Sequence, residues 1–226
     1  ISFPAMDAAL RNGYATASTD TGHDAAKEPV ATFGYPGEKN PHAERKVIQY
    51  AYLAVHDTAV LAKKVVAAHY GSTPKYSYWV GCSTGGRQGL LEAQRYPDDF
   101  DGYVIGAPVA DFTNVNLRGI WNAQAMAGFP AEKLNAVADS VFQKCDALDG
   151  VADGLLEDPR RCTFDPLTDV PSLTEAERRA LKKVYDGPRD SSGRRIFGGM
   201  PVGAERGGWT RSIVGTPNIG LLYAES

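Results

Sequence analysis

Gly81-Cys82-Ser83-Thr84-Gly85 sets a serine between two glycines, each two residues away. Between a strand and a helix, this spacing puts the serine on a strained turn, where Cβ atoms at the two flanking positions would clash, and lifts its hydroxyl clear of the sheet. The turn also aims the backbone N–H of Thr84 and the following helix N-terminus at a developing oxyanion. That is the chemistry of acyl transfer through a nucleophilic serine. The competing reading is a Gly-rich turn with a surface serine, and the flanking elements decide between them. The expected chain order after such a serine is an acid and then a histidine. His23, His42, His56 and His69 all precede Ser83. His56 and His69 fall on a predicted helix, where a packed or solvated role is expected, and His42 falls in its first turn. His23 lies in a polar loop where it can help shape the site.

A second group lies at 145–155, Cys-Asp-Ala-Leu-Asp-Gly-Val-Ala-Asp-Gly-Leu. Asp146, Asp149 and Asp153 supply three carboxylates, two of them followed by glycine, so the loop can coil. Calcium takes six to eight oxygens and accepts carboxylates mixed with backbone carbonyls. Asp149, Val151, Asp153 and Leu155 alternate in a way that would present successive oxygens to one centre. The spacing is not that of an EF-hand. The competing reading is a pair of solvated Asp-Gly turns. Cys145 and Cys162 bracket the loop, and a disulfide between them would staple it; otherwise the three cysteines are unrelated thiols.

The elements that must hold these residues follow from pattern. Residues 13–19 are β-prone and end in a polar turn, and 24–40 read as loop. Asn40-Pro41 is an N-cap and N1 pair. From there apolar residues recur at helical spacing to His69, where Gly71 ends the helix. Residues 76–80 read as a strand, Gly81 to Gly86 as a tight turn, 87–96 as a helix stopped by Pro97, and 103–105 as a second strand. Strand, helix, strand implies a parallel sheet and an α/β fold. After about residue 112 the character changes: helices are predicted at 114–126 and 131–144, and one opens at Thr174 with Glu177 three residues on, as in a capping box. Residues 187–220 show no clean periodicity. The expected division is a catalytic core over 1–111 and a lid-like segment over 112–226.

With 226 residues the chain can bury one good-sized core, and a net charge of −3 gives no reason to expect nucleic acid as a partner. No stretch is long and apolar enough to span a bilayer. The start, Ile1-Ser2-Phe3-Pro4, lacks the features of a signal peptide, and the chain reads as a piece of something longer.

Four motifs together carry a family resemblance: 81–89 (GCSTGGRQG), 18–23 (STDTGH), 96–102 (YPDDFDG) and 145–154 (CDALDGVADG). The chain resembles the tannase and feruloyl esterase family, which includes the hydrolase of mono(2-hydroxyethyl) terephthalate. The resemblance implies an α/β-hydrolase core with an inserted lid, Ser83 as nucleophile and the Thr84 N–H as one oxyanion donor. It implies a disulfide from Cys82 to a cysteine beside the catalytic histidine, outside this chain. It further implies structural calcium on Asp146, Asp149, Asp153 and the Val151 and Leu155 carbonyls, a Cys145–Cys162 disulfide, and a secreted or periplasmic protein. The second oxyanion donor is expected before Ile1, and the catalytic Asp and His after Ser226. The implied substrate is a small aromatic ester of feruloyl, galloyl or terephthalate type. A serine peptidase or acyltransferase on the same elbow, and a calcium-stabilised binding protein without chemistry, are the other readings.

Overall fold

The computed structural model describes residues 2–29, 31–210 and 213–214. The end of the segment expected to be lid-like, 215–226, lies outside them. The chain divides into two compact units, Ile1–Ala110 and Asp111–Ser226.

The first unit opens on helix α1 (Phe3–Arg11), which the sequence pattern did not suggest; Pro4 sits in its first turn, where the missing N–H costs nothing. The β-prone run at 13–19 forms no strand. A strand needs a neighbour to take its backbone hydrogen bonds, and the sheet formed by the described residues has two strands, β1 (Tyr78–Cys82) and β2 (Gly102–Gly106). The long predicted helix is real but interrupted. It comprises α2 (Ala43–Ile48), a π-helical turn (Gln49–Leu53) and α3 (Ala54–Tyr70). Asn40 does not cap it. Its amide donates to the carbonyls of Phe33 and Tyr35 at 2.7 and 3.0 Å and its Oδ1 accepts from Lys46 at 3.0 Å, so tertiary partners take the groups a cap would use. At the other end Gly71 adopts φ 74° as the left-handed stop that the sequence indicates.

β1 pairs with β2 in parallel, Tyr78 opposite Gly102 through Cys82 opposite Gly106, and α4 (Thr84–Arg95) crosses between them. The strand runs two residues further, and the helix starts three residues earlier, than the pattern of 76–96 suggests. The predicted six-residue turn is therefore compressed into Ser83 alone. Trp79 points from β1 toward α4: a Cβ on Gly89 would lie 2.6 Å from its indole. The strand and helix are that close because position 89 has no side chain. A groove of 1380 Å³ runs along this unit, lined by α1, 12–19, α3 and both strands; it contains Val80 and Val104 but neither Ser83 nor Thr84.

The second unit is helical: α5 (Phe112–Ala125), α6 (Leu134–Cys145), the short α7 (Pro166–Asp169) and α8 (Glu175–Asp186). Leu134, Val137, Ala138 and Val141 are fully buried at i, i+3, i+4 and i+7 of α6, and Leu134 and Val137 share one apolar core with Leu181 and Val184 of α8 and with Trp209. Each such apolar side chain contributes about 1.5–3 kcal/mol by leaving water. Thr174 and Glu177 close a reciprocal capping box at the start of α8, as their spacing predicts.

Candidate functional site

Ser83 has φ 59° and ψ −114°, a backbone region that side-chain-bearing residues rarely occupy. Holding a non-glycine there costs about 1–3 kcal/mol, so the surroundings must enforce it. They do so with hydrogen bonds on both sides. The Ser83 N–H donates to the Gly106 carbonyl at 3.0 Å, continuing the β1–β2 ladder, while its carbonyl accepts from Arg87 N at 3.0 Å as the first bond of α4. One residue thus serves the sheet with its N–H and the helix with its C=O. Its side chain makes no capping bond and the residue is exposed. The first N–H groups of α4, starting with Thr84, have no intrahelical acceptor and point from the same end.

Glycine is required around the turn for reasons the motif only half conveys. A Cβ on Gly81 would sit 2.5 Å from the Gly85 carbonyl oxygen, so that glycine is obligatory. A Cβ on Gly85 would meet nothing within 4 Å, so the expected clash at this flanking position is corrected. The steric demand falls one residue later, on Gly86, where a Cβ would lie 2.4 Å from the Gly106 oxygen and 2.9 Å from Pro108 Cα. Two side chains then fasten the elbow. Trp79 Nε1 donates to the Gly85 carbonyl at 3.1 Å, and Arg87 reaches away from α4 to the carbonyls of Tyr50 and Ala51 in the π turn.

Cys82 is an exposed free thiol beside Ser83. Three of the four histidines are engaged elsewhere. His23 stacks on Phe33 at 4.1 Å and meets the edge of Tyr50 at 5.9 Å; His42 is exposed; His69 packs edge-on against Tyr70. His56 stacks on Tyr96 and its Nδ1 lies 2.6 Å from Asp99 Oδ2. Among the described residues no hydrogen bond joins a histidine to Ser83.

His56 belongs to a half-buried cluster, with Glu92 at its buried end, that sequence patterns did not suggest. One ring nitrogen of His56 and one carboxylate oxygen each from Glu92 and Asp99 lie within 4.8 Å of one another. Glu92 is 1% exposed, and burial together with the neighbouring Asp99 carboxylate pushes its carboxyl up to about 8. One proton on Glu92 therefore meets the charge conflict at neutral pH. Tyr103 is also shifted up, by burial and by both carboxylates. Glu92 lies nine residues past Ser83, roughly 13 Å along the helix axis, so the cluster is remote from the nucleophile. A signal existed: Gly86, Gly89 and Glu92 recur at i, i+3 and i+6, which places the carboxylate on the buried face of α4.

In the second unit Cys145 and Cys162 form a disulfide. The enclosed loop coils with Gly150 at φ 101° and Gly154 at φ 80°. Its carboxylates accept from the loop's own amides: Asp146 from Gly154, Asp149 from Val151 and Asp153 from Leu155. Val151 and Leu155 are exposed. The three aspartates do not gather their oxygens as tightly as the His56 cluster gathers its donors.

The family model for tannase and feruloyl esterase matches residues 2–220. A probable feruloyl esterase from Arthroderma benhamiae is 32% identical, across 95% of this chain and 43% of its own length. An uncharacterized esterase from Xanthomonas campestris is 35% identical, across 97% of this chain and 39% of its own. The chain thus spans about two-fifths of the curated relatives it matches. The crystal structure of feruloyl esterase B from Aspergillus oryzae superposes with a TM-score of 0.64 at 30% identity, covering 77% of this chain and 38% of that one. The fold is of this feruloyl esterase and tannase kind, which is α/β-hydrolase-like.

Proposed function

The chain belongs to the tannase and feruloyl esterase family, and from that premise we propose that it carries the nucleophile of a serine carboxylic-ester hydrolase acting on aromatic acid esters. The observation that supports this reading most directly is the backbone of Ser83, held at φ 59° between a strand and a helix with its side chain exposed. Ser83 Oγ attacks the ester carbonyl, and the negative charge that develops on the carbonyl oxygen is met by the Thr84 N–H and the N-terminal end of α4. Collapse expels the alcohol and leaves an acyl-enzyme, which water hydrolyses. Oγ must lose a proton to a base. His23, His56 and His69 make other contacts, His42 is exposed, and none is hydrogen-bonded to Ser83 among the described residues, so we assign that role to a histidine outside these 226 residues. Cys82, exposed beside the nucleophile, is placed to bond a cysteine next to that histidine and so hold base to nucleophile.

The second unit is assigned as the lid, with substrate selection among feruloyl, galloyl and terephthalate esters. Its loop offers only hard oxygen donors, which fit calcium. Asp146, Asp149 and Asp153, with the carbonyls of Val151 and Leu155, would hold the ion, whose contribution is charge neutralisation that fixes the loop. The left-handed turns at Gly150 and Gly154 and the Cys145–Cys162 bond, which coil the loop carrying these donors, support the reading. A secreted protein is the setting in which such a disulfide persists.

The test is covalent. The full-length protein is treated with a fluorophosphonate probe, and the labelled peptide is mapped by mass spectrometry with Ser83→Ala as control. Label on Ser83 that disappears in the variant supports the mechanism; a folded, calcium-replete protein that takes no label refutes it.

A further inference from the structure

Arg87 stands one turn into α4 and is only 8% exposed. A buried guanidinium needs partners for its donors, and it finds them on another element. Nη1 donates to the Ala51 carbonyl at 3.0 Å and Nη2 to the Tyr50 carbonyl at 3.1 Å, while the guanidinium lies over the Tyr50 ring with its carbon 5.0 Å from the centroid. Both carbonyls belong to the π turn at Gln49–Leu53. A π turn shifts backbone pairing by one residue and leaves carbonyls open to an outside donor. The Tyr50 ring in turn meets Phe33 at 5.1 Å and the edge of His23. A Cβ on Gly22 would come within 2.8 Å of Gln49, so the segment ending in His23 is seated on the same turn.

The backbone of Arg87 is bonded to Ser83 while its side chain is bonded to the π turn. We propose that Arg87 is a positioning residue for the nucleophile: its two-point grip on the π turn fixes the rotation of the first turn of α4, and with it the directions of Ser83 Oγ and the Thr84 N–H. The inference rests on the serine-hydrolase reading above. A single ammonium cannot reproduce a planar two-point donor, so Arg87→Lys keeps the charge and loosens the grip.

The full-length protein is compared with Arg87→Lys and Arg87→Met for the rate constant of fluorophosphonate labelling at Ser83, for kcat and KM on an aryl ester, and for amide hydrogen exchange over 49–53 and 84–89. Arg87→Lys is expected to lower the labelling rate and kcat about five- to tenfold, with KM within twofold and faster exchange in both segments. Arg87→Met is expected to fall further. If the Met variant does not fold, the Lys variant decides. A folded Lys variant that labels at the wild-type rate overturns the proposal. Wild-type protein that takes no label refutes the hydrolase reading instead; exchange then tests the grip by itself, and unchanged exchange in the Lys variant overturns it.

Discussion

Glu92→Gln should make the stability of this protein less dependent on pH in a defined direction. Glu92 is buried against Asp99, with His56 from α3, the Tyr103 hydroxyl from β2 and the Lys63 ammonium, which donates to the Asp99 carbonyl at 2.5 Å, as the other ionisable groups around it. Its carboxyl is raised from the ordinary 4.5 to about 8, first by burial and then by Asp99. In the folded state it therefore keeps a proton that the unfolded chain has released. Between pH 4.5 and 8 the unfolded state binds fewer protons, so the free energy of unfolding falls as pH rises. The stabilisation is fully present below 4.5 and lost by the time pH passes 8. At about 1.36 kcal/mol per pH unit the ceiling is about 5 kcal/mol. The effective dielectric of a folded protein exceeds the dry-interior limit, which reduces the expected change to roughly 2–3 kcal/mol. Glutamine keeps the shape and a donor toward Asp99 but cannot ionise. Urea unfolding of both proteins at intervals from pH 5 to 9 measures the difference. The variant should match wild type or fall slightly below it at pH 5, and gain on it steadily to pH 8.5. A difference that is flat with pH would refute the shared-proton account of the cluster.

Gly86→Ala should cost about 3 kcal/mol or more and abolish labelling of Ser83, because the new methyl overlaps the Gly106 carbonyl; Gly85→Ala, with open space at that position, should stay within about 1 kcal/mol of wild type, and thermal melts of the pair separate the two. Reducing Cys145–Cys162, which closes a separation of 17 residues, should lower stability by about 3 kcal/mol, read as a shift of the urea midpoint with and without dithiothreitol. Adding calcium to chelator-treated protein should raise the melting temperature, and Asp149→Asn or Asp153→Asn should lose most of that rise; a variant that keeps the full rise would remove its carboxylate from the ligand set. Trp79→Phe should cost about 1 kcal/mol through the lost bond to Gly85 and slow labelling without changing the site labelled.

The sequence alone determined what short segments dictate. A β-branched and aromatic run, a glycine-flanked serine and a glycine-rich helix placed the elbow within a few residues of its true bounds. Thr174 and Glu177 announced their capping box, and Gly71 its helix stop, because each signal acts over three or four residues of backbone. Tertiary structure decided everything that depends on a distant partner. Asn40 gives up its expected capping role to partners five and seven residues earlier and at Lys46. The π turn has its carbonyls met by a guanidinium 36 and 37 residues away. The steric requirement moves from Gly85 to Gly86 because the obstacle, Gly106, belongs to the neighbouring strand. His56 and Asp99, 43 residues apart, come together with Glu92 only when α3, α4 and the approach to β2 pack. Local propensities fix which backbone shapes a segment favours, whereas the protonation of Glu92 and the hold on Ser83 depend on desolvation and contact, which exist only once the chain has closed on itself.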